Sequence, residues 1–182
     1  KNVQTNQPLS SVTGLTLGAS SNGGLSSNYN ALSTAGSSVS VTQKPASYTA
    51  MATNVTYNGS LQNQAASSKS GFISGDTLTF TGEASGTNAN TYGSNLQVSG
   101  ADAGNYNVAI TNANLVIGKA DLTLSGTRVY DQGTTFAGSY LTATGVNGES
   151  FTVTGAGSST NLSSKNVQTN QPLSSVTGLT LG

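Results

Sequence analysis

The stretch GDTLTFTG, residues 75–82, carries the pattern that decides the fold. Leu78 and Phe80 alternate with threonines, and a glycine stands at each end of the run. Successive side chains of a β-strand point to opposite faces, so this alternation places the apolar residues on a core and the threonines in water. Glycine at both ends is typical of turns. The stretch predicts a short β-strand between two turns.

A related stretch, GESFTVTG at residues 148–155, lies 73 positions further along the chain. Four of its eight residues are identical to those of the first stretch, and the other four are conservative replacements. Tyr57 and Tyr130 match at the same spacing, and Asn28-Tyr29-Asn30 matches Asn105-Tyr106-Asn107. Internal self-similarity of this kind indicates repeated structural units. The chain is therefore predicted to contain two related β-modules.

Further alternating or apolar runs predict an all-β chain. They are bounded by Gly, Asn, Asp and Ser, which favour turns. Asn58-Gly59 and Asn147-Gly148 are dipeptides of the hairpin type, because both residues tolerate positive φ. A short helix is an alternative in one segment, residues 62–70 around Ala65-Ala66. The serine content of that segment argues weakly against a helix. The predicted strands include Leu15-Thr16-Leu17, Val39-Ser40-Val41, Val108 with Ile110, Leu115-Val116-Ile117, Leu122-Thr123-Leu124 and Phe151-Thr152-Val153.

The chain also contains a repeat of longer period, because residues 165–182 are identical to residues 1–18. This identity defines a period of 164 residues and predicts a slice of a tandem array. Solenoid coils repeat at roughly 20–30 residues, so the longer periods here favour beads on a string and not a β-solenoid. A β-grasp-like sheet and a small sandwich both remain open for each module.

The matched segments predict three parts of the chain. Residues 43–118 form one module (the first module), and residues 119–182 form the N-terminal part of a second kind of module (the second module). Residues 1–42 (the leading segment) then form the C-terminal part of a module whose opening strands are missing. Unpaired strands expose ladder groups and apolar faces. We therefore expect the leading segment to pack against a 119–164 segment of an adjacent or neighbouring copy.

Composition excludes several classes of function. The chain has 28 Ser, 26 Thr, 19 Asn and 23 Gly, with six basic and six acidic residues and neither Cys nor His. A neutral surface offers no field to attract nucleic acid. The absence of Cys removes disulfides and thiolate metal sites. No apolar run approaches the roughly 18 residues that a membrane-spanning helix needs. Nucleic-acid binding and membrane insertion are therefore not expected.

The acidic residues do not form a catalytic pattern. General acid–base catalysis needs a converging pair or a His partner. Asp76 and Glu149 occupy equivalent turn positions, so we expect their carboxylates to cap backbone N–H groups, and we expect the same of Asp102. No calcium-loop motif is present. The sequence predicts no enzyme and assigns no catalytic, cofactor-binding or metal residue. The acids are Asp76, Glu83, Asp102, Asp121, Asp131 and Glu149.

The matched tyrosines are expected to fill the core, with each hydroxyl reaching a partner at the rim. They are Tyr29, Tyr57, Tyr106 and Tyr130. An intramolecular Lys–Asn isopeptide bond needs a lysine, an asparagine and a buried acid together. Lys44, Lys69 and Lys119 supply the lysines, but the sequence does not bring the three groups into contact.

Two segments also carry a family resemblance. Residues 99–106, SGADAGNY, resemble a signature of bacterial surface adhesins that are built from YDG-type and MBG-type repeats. Lys119 followed by YDQGTT at 130–135 is similar to the opening of a YDG repeat, with Gln132 inserted, and KNVQT at 165–169 is similar to its KNVGT segment. The first module resembles the MBG type. The resemblance covers nearly the whole chain.

The resemblance implies a large exported adhesin, similar to filamentous haemagglutinin, that is secreted or held at the bacterial cell surface. Such repeats form a stalk that projects a binding region and supports adhesion or biofilm. We therefore expect a structural spacer whose partners are neighbouring identical repeats. The alternative is a repeat that itself binds glycan or associates with other copies into filaments or biofilm matrix.

Overall fold

The computed structural model describes residues 2–182 and confirms an all-β chain. The strands are short and irregularly spaced, and they close neither a barrel nor a solenoid in the described part. They are β1 Gln4–Gln7, β2 Val39–Val41, β3 Lys44–Thr49, β4 Thr53–Thr56, β5 Gln62–Asn63, β6 Ser68–Ser70, β7 Thr79–Thr81, β8 Ser85–Gly86, β9 Asn90–Gly93, β10 Gln97–Ser99, β11 Tyr106–Thr111, β12 Asn114–Gly118, β13 Thr123–Gly126, β14 Leu141–Thr144, β15 Ser150–Thr154 and β16 Thr180–Leu181.

Helical structure is limited to single 3-10 turns. They occupy Ser26–Asn28, Ala103–Asn105, Gly138–Tyr140 and Val146–Gly148. The helix considered for residues 62–70 is absent, because β5 and β6 occupy the two ends of that segment. No helix in the described part of the chain has the length and apolar character that crossing a membrane requires.

The chain divides into two compact units, each built from several segments. Unit 1 contains the chain up to Met51, Ala65–Glu83 and Ser94–Ala113. Unit 2 contains Ala52–Gln64, Ala84–Gly93 and Asn114–Gly182. The division separates the strands of the first module into two groups. The repeat boundaries at residues 43 and 119 differ from the boundaries of these units and remain a prediction about the tandem array.

Unit 1 is organised around β3, which has a partner on each edge. β11 pairs with it in parallel, from Tyr106 opposite Lys44 to Thr111 opposite Thr49. β6 pairs with it on the other edge in the antiparallel sense. β7 and β10 form a separate antiparallel pair, in which Phe80 lies opposite Val98. The core contains Tyr48, Ala50 and Leu96, and Phe80 and Val108 are among the residues packed against it.

Unit 2 contains two sheets from the first module and one from the second. The first-module sheets are the β5–β8 pair and a three-stranded sheet, in which β12 lies between β4, which is parallel to it, and β9, which is antiparallel. Leu115 and Ile117 point from β12 into a core that includes Ala84. In the sheet of the second module, the strand order is β13-β14-β15-β16, all antiparallel. Its core contains Leu141, Ala143 and Val153.

Two strand pairs of the first module recur in the second module, although β14 also pairs with β15 whereas β6 does not pair with β7. Tyr48 lies opposite Lys69 in the β3–β6 pair, as Leu124 lies opposite Ala143 in the β13–β14 pair. β7 and β10 pair through Phe80 and Val98, as β15 and β16 pair through Val153 and Leu181. β13, β14, β15 and β16 therefore correspond to β3, β6, β7 and β10. This correspondence supports the internal repeat that was predicted from GDTLTFTG and GESFTVTG.

Most predicted strands are confirmed, and two predictions of strands or hairpins are wrong. The Val39–Val41, Leu115–Ile117 and 151–153 runs are strands as expected. Asn147-Gly148 does connect a hairpin, β14 to β15. The hairpin prediction for Asn58-Gly59 is wrong, because β4 and β5 pair with β12 and β8 and not with each other. The Leu15–Leu17 strand is also wrong, since that run is irregular.

Candidate functional site

A tyrosine–carboxylate pair holds the loop that follows β6 in unit 1. The Tyr106 hydroxyl donates to Asp76 Oδ2 at 2.6 Å and accepts from the Ile73 N–H at 2.9 Å. The Tyr106 ring is buried and lies 5.1 Å from the Phe72 ring, centroid to centroid. The hydrogen bond to Asp76 raises the pKa of Tyr106 above its ordinary value. The pair therefore fastens β11 to the loop 71–76.

Unit 2 contains a second pair of the same type. The Tyr57 hydroxyl donates to Glu149 Oε1 at 2.5 Å, and this hydrogen bond raises the pKa of Tyr57. Glu149 and Asp76 are the equivalent acids of the two related stretches. Both lie in turns, as expected: the Asp76 N–H donates to Ile73 O and the Glu149 N–H donates to Val146 O. The sequence did not predict the tyrosine hydroxyls as partners of their carboxylates.

Asp102, Asp131 and Glu83 also make structural contacts. Asp102 Oδ2 accepts from the Thr77 N–H at 2.9 Å, which joins two distant loops, and Asp102 Oδ1 accepts from the Asn105 side-chain amide at 3.4 Å. Asp131 Oδ1 accepts from the Gly133 N–H at 2.8 Å within a turn. Asp131 Oδ2 also lies 3.1 Å from Arg128 Nη1. Hydrogen bonds from Ser67 lower the pKa of the Glu83 carboxyl. These contacts organise loops.

Within residues 2–182 the His, Cys, Asp and Glu side chains form no group of three or more that could hold a metal ion. Lys69 Nζ lies 4.6 Å from the centre of the Phe80 ring and 5.5 Å from that of Tyr48, a cation–π position. This lysine therefore covers the aromatic core of unit 1.

One buried asparagine has a structural role that the sequence did not predict. Asn161 is fully buried and bridges the backbone of Phe136: its Oδ1 accepts from the Phe136 N–H at 2.7 Å, and its Nδ2 donates to Phe136 O at 2.8 Å. It thus replaces the hydrogen bonds that a strand would provide there. Asparagine is so frequent in this chain that its identity gave no signal.

The four matched tyrosines divide into two groups. Tyr106 is buried and Tyr57 is half-buried, each with a hydroxyl partner, as predicted. Tyr29 and Tyr130 are 72% and 53% exposed, so the prediction of a core position is wrong for both. Tyr29 lies in the leading segment and Tyr130 follows β13. Each belongs to a part of the repeat that lacks the strands covering its counterpart in the first module.

The open edge of β13 is the main unpartnered feature of the second module. All four residues of β13 are exposed, although their counterparts in β3 include the buried Tyr48. β14 covers one edge of β13, and in the described chain no strand pairs with the other. A groove of about 890 Å³ adjoins this strand. Leu122, Leu124 and Val129 contribute apolar surface to it.

The leading segment exposes a complementary set of apolar residues. None of residues 2–42 is buried. β2 pairs only with β1, whereas its counterpart β12 is paired on both edges. Exposed apolar side chains of this size need an explanation when they occur together. In the leading segment they are Leu15, Leu17, Leu25, Tyr29, Leu32, Val39 and Val41.

Comparison with protein-family models, with curated proteins and with solved structures finds no match to the chain. The resemblance to adhesin repeats therefore rests on the sequence motifs alone.

Proposed function

We propose that the chain is a structural stalk or spacer repeat of a large bacterial adhesin, secreted or displayed at the cell surface. In this role tandem β-modules project a binding region and bear load, while Ser, Thr and Asn side chains present a neutral coat. The function is mechanical and involves no catalysis, cofactor or metal.

The observation that carries the proposal is repetition at two levels, in strand pairing and in sequence. Two strand pairs of the first module recur in the second, and an 18-residue identity recurs after 164 residues. Repeated units that contact their neighbours suit extended, load-bearing polymers. The SGADAGNY resemblance points to the same class of protein.

The contacts of the acidic residues support a role without catalysis. The carboxylates of Asp76 and Glu149 each accept a hydrogen bond from a tyrosine hydroxyl, and Asp102 holds a backbone N–H. Each is used to fasten a loop. A catalytic acid or base must instead be available to a substrate.

Small-angle scattering of proteins containing one, two and four 164-residue units tests the proposal. If the repeat is a spacer, the maximum dimension rises linearly with the number of units. A dimension that stays nearly constant as units are added would show that the repeats collapse on one another, and the stalk proposal would then be wrong.

A further inference from the structure

We propose that the open edge of β13 and its groove form an acceptor site for residues 25–41 of a second copy of this chain. The bound segment adds a parallel strand beside β13, and its apolar residues fill the groove. The inference concerns how copies join and does not depend on the stalk function.

The first module shows what occupies the equivalent edge. β3 corresponds to β13, and the edge of β3 that faces away from β6 is covered by β11 in parallel. Likewise β4 is covered by β12 in parallel. The second module has the counterparts of β3, β6, β7 and β10, but in the described chain none of β4, β5, β8, β9, β11 or β12. The strand missing beside β13 is therefore expected to be the counterpart of β11, parallel to β13.

The leading segment contains the counterparts of β11 and β12, of which only the counterpart of β12 is a strand here. A 3-10 turn at Ser26–Asn28 precedes Tyr29, as the turn at Ala103–Asn105 precedes Tyr106 at the start of β11. β2 pairs antiparallel with β1 in the way that β12 pairs with β9. Residues 29–34 thus correspond to β11, and Val39–Val41 corresponds to β12. Without a parallel partner, Tyr29 is 72% exposed while Tyr106 is 5% exposed.

The second copy is the occupant because each chain contains one donor and one acceptor. In the copy that accepts the segment, β16 of that same copy already occupies the position that corresponds to β10. Leu179, next to β16, packs on the core of the second module. What remains open is the part that residues 25–41 would cover. Residues 19–42 contain no charged side chain, so the contact depends on backbone hydrogen bonds and apolar burial.

The correspondence fixes a register for the contact. Val108 lies opposite Ala46 in the β11–β3 pair. If Tyr48 corresponds to Leu124, then Ala46, two residues before Tyr48, corresponds to Leu122, two residues before Leu124. Tyr29 and Tyr106 are equivalent, so Val108 is equivalent to Ala31. Ala31 of one copy should therefore lie beside Leu122 of the other. Because donor and acceptor are different surfaces, the contact is head to tail and does not close on itself.

Cysteine cross-linking tests the register, since the chain has no cysteine of its own. The chain carrying both A31C and L122C should form disulfide-linked dimers and higher oligomers under mild oxidation. The matched control carries A31C and S150C, because Ser150 lies on β15, two strands from the open edge. Equal cross-linking of the two proteins would overturn the proposal.

Sedimentation velocity of the unmodified chain tests the association itself. The average mass should rise with concentration and change little between low and high salt, because no charge pair is involved. Tyr29→Asp should weaken association by about tenfold or more, since it puts a charge in place of an exposed ring that the contact would bury. Leu61→Asp makes the same kind of change at an exposed site outside the groove and should have no effect. A monomer at every concentration, or equal effects of the two variants, would contradict the proposal.

Discussion

Glycine serves two different purposes at the ends of the related strands. Gly148 and Gly155 both have positive φ, at 77° and 97°. A Cβ on Gly148 would meet nothing within 4 Å, whereas a Cβ on Gly155 would overlap the carbonyl oxygen of Gly178. Gly82 has the same conformation as Gly155 and the same conflict, with Asn95 O. At these two positions the absence of a side chain lets two segments approach each other.

Alanine substitution separates the two effects. Gly148→Ala should lower the free energy of unfolding by about 1 kcal/mol, because only the left-handed conformation is penalised. Gly155→Ala should lower it by about 3 kcal/mol or more, because overlap with the backbone is added to that penalty. Urea denaturation measures both values. Equal losses would show that the close approach at Gly155 does not contribute.

The two tyrosine–carboxylate pairs predict a selective effect on alkaline titration. Glu149→Gln replaces the carboxylate whose hydrogen bond, and to a lesser extent its charge, raises the pKa of Tyr57, so that pKa should fall towards its ordinary value. Asp76→Asn should do the same for Tyr106. Ultraviolet titration of tyrosinate, with Tyr57→Phe and Tyr106→Phe to assign the signals, measures the shifts. Each substitution should leave the other tyrosine unchanged, and a shift of both or neither would contradict the assignment.

The sign of the linked stability effect follows from the raised pKa values. A phenol whose pKa is higher in the folded state contributes stability that is fully present below the unfolded pKa of about 10. The contribution is lost as the pH rises through the folded pKa, because a phenolate is repelled by the adjacent carboxylate. Alkaline loss of stability should therefore be smaller in the double variant with Tyr57→Phe and Tyr106→Phe than in the unmodified chain.

At the scale of elements, alternation was a reliable guide to the strands that find a partner. β7, β12 and β15 all appear where apolar and threonine residues alternate or an apolar run occurs. The tyrosine partners were not predictable, because they lie 30 and 92 residues away from the acids. The register of distant strands was not predictable for the same reason. Local sequence carries no information about which distant loop supplies a carboxylate.

The repeated 18 residues show the limit of local sequence directly. In the second copy, Thr180–Leu181 forms β16 because β15 is available to pair with it. The same residues in the first copy, Thr16 and Leu17, are irregular, and Leu15 is 55% exposed. Conversely, Gln4–Gln7 forms a strand with β2, whereas residues 168–171 do not form one. Identical sequence therefore adopts two structures according to its partners.

A matched pair of substitutions tests this conclusion. Leu179→Ala should lower the free energy of unfolding by about 1–2 kcal/mol, because this half-buried side chain packs on the core around Leu141. Leu15→Ala changes the same residue of the other copy and should have an effect within about 0.5 kcal/mol, as expected for an exposed site. Denaturant unfolding of both variants gives the comparison. Similar losses would mean that the two copies have similar surroundings.

At the scale of the whole molecule, the central claim is that the second module is completed by the leading segment of another copy. This accounts for the exposed β13, the groove beside it and the exposed Tyr29 together. It also gives the tandem period a structural meaning, since one copy would supply what the preceding copy lacks. The claim agrees with the proposed stalk, in which neighbouring repeats would be joined by shared sheets.

A chain in which a copy of residues 19–42 follows Gly182 tests the claim most directly. The added segment can fill the acceptor site within the same molecule. We predict a higher denaturation midpoint and a monomer by sedimentation velocity at concentrations where the original chain associates. A chain with the same added residues in scrambled order should behave like the original. If the natural and scrambled additions give the same midpoint and the same association, the claim is wrong.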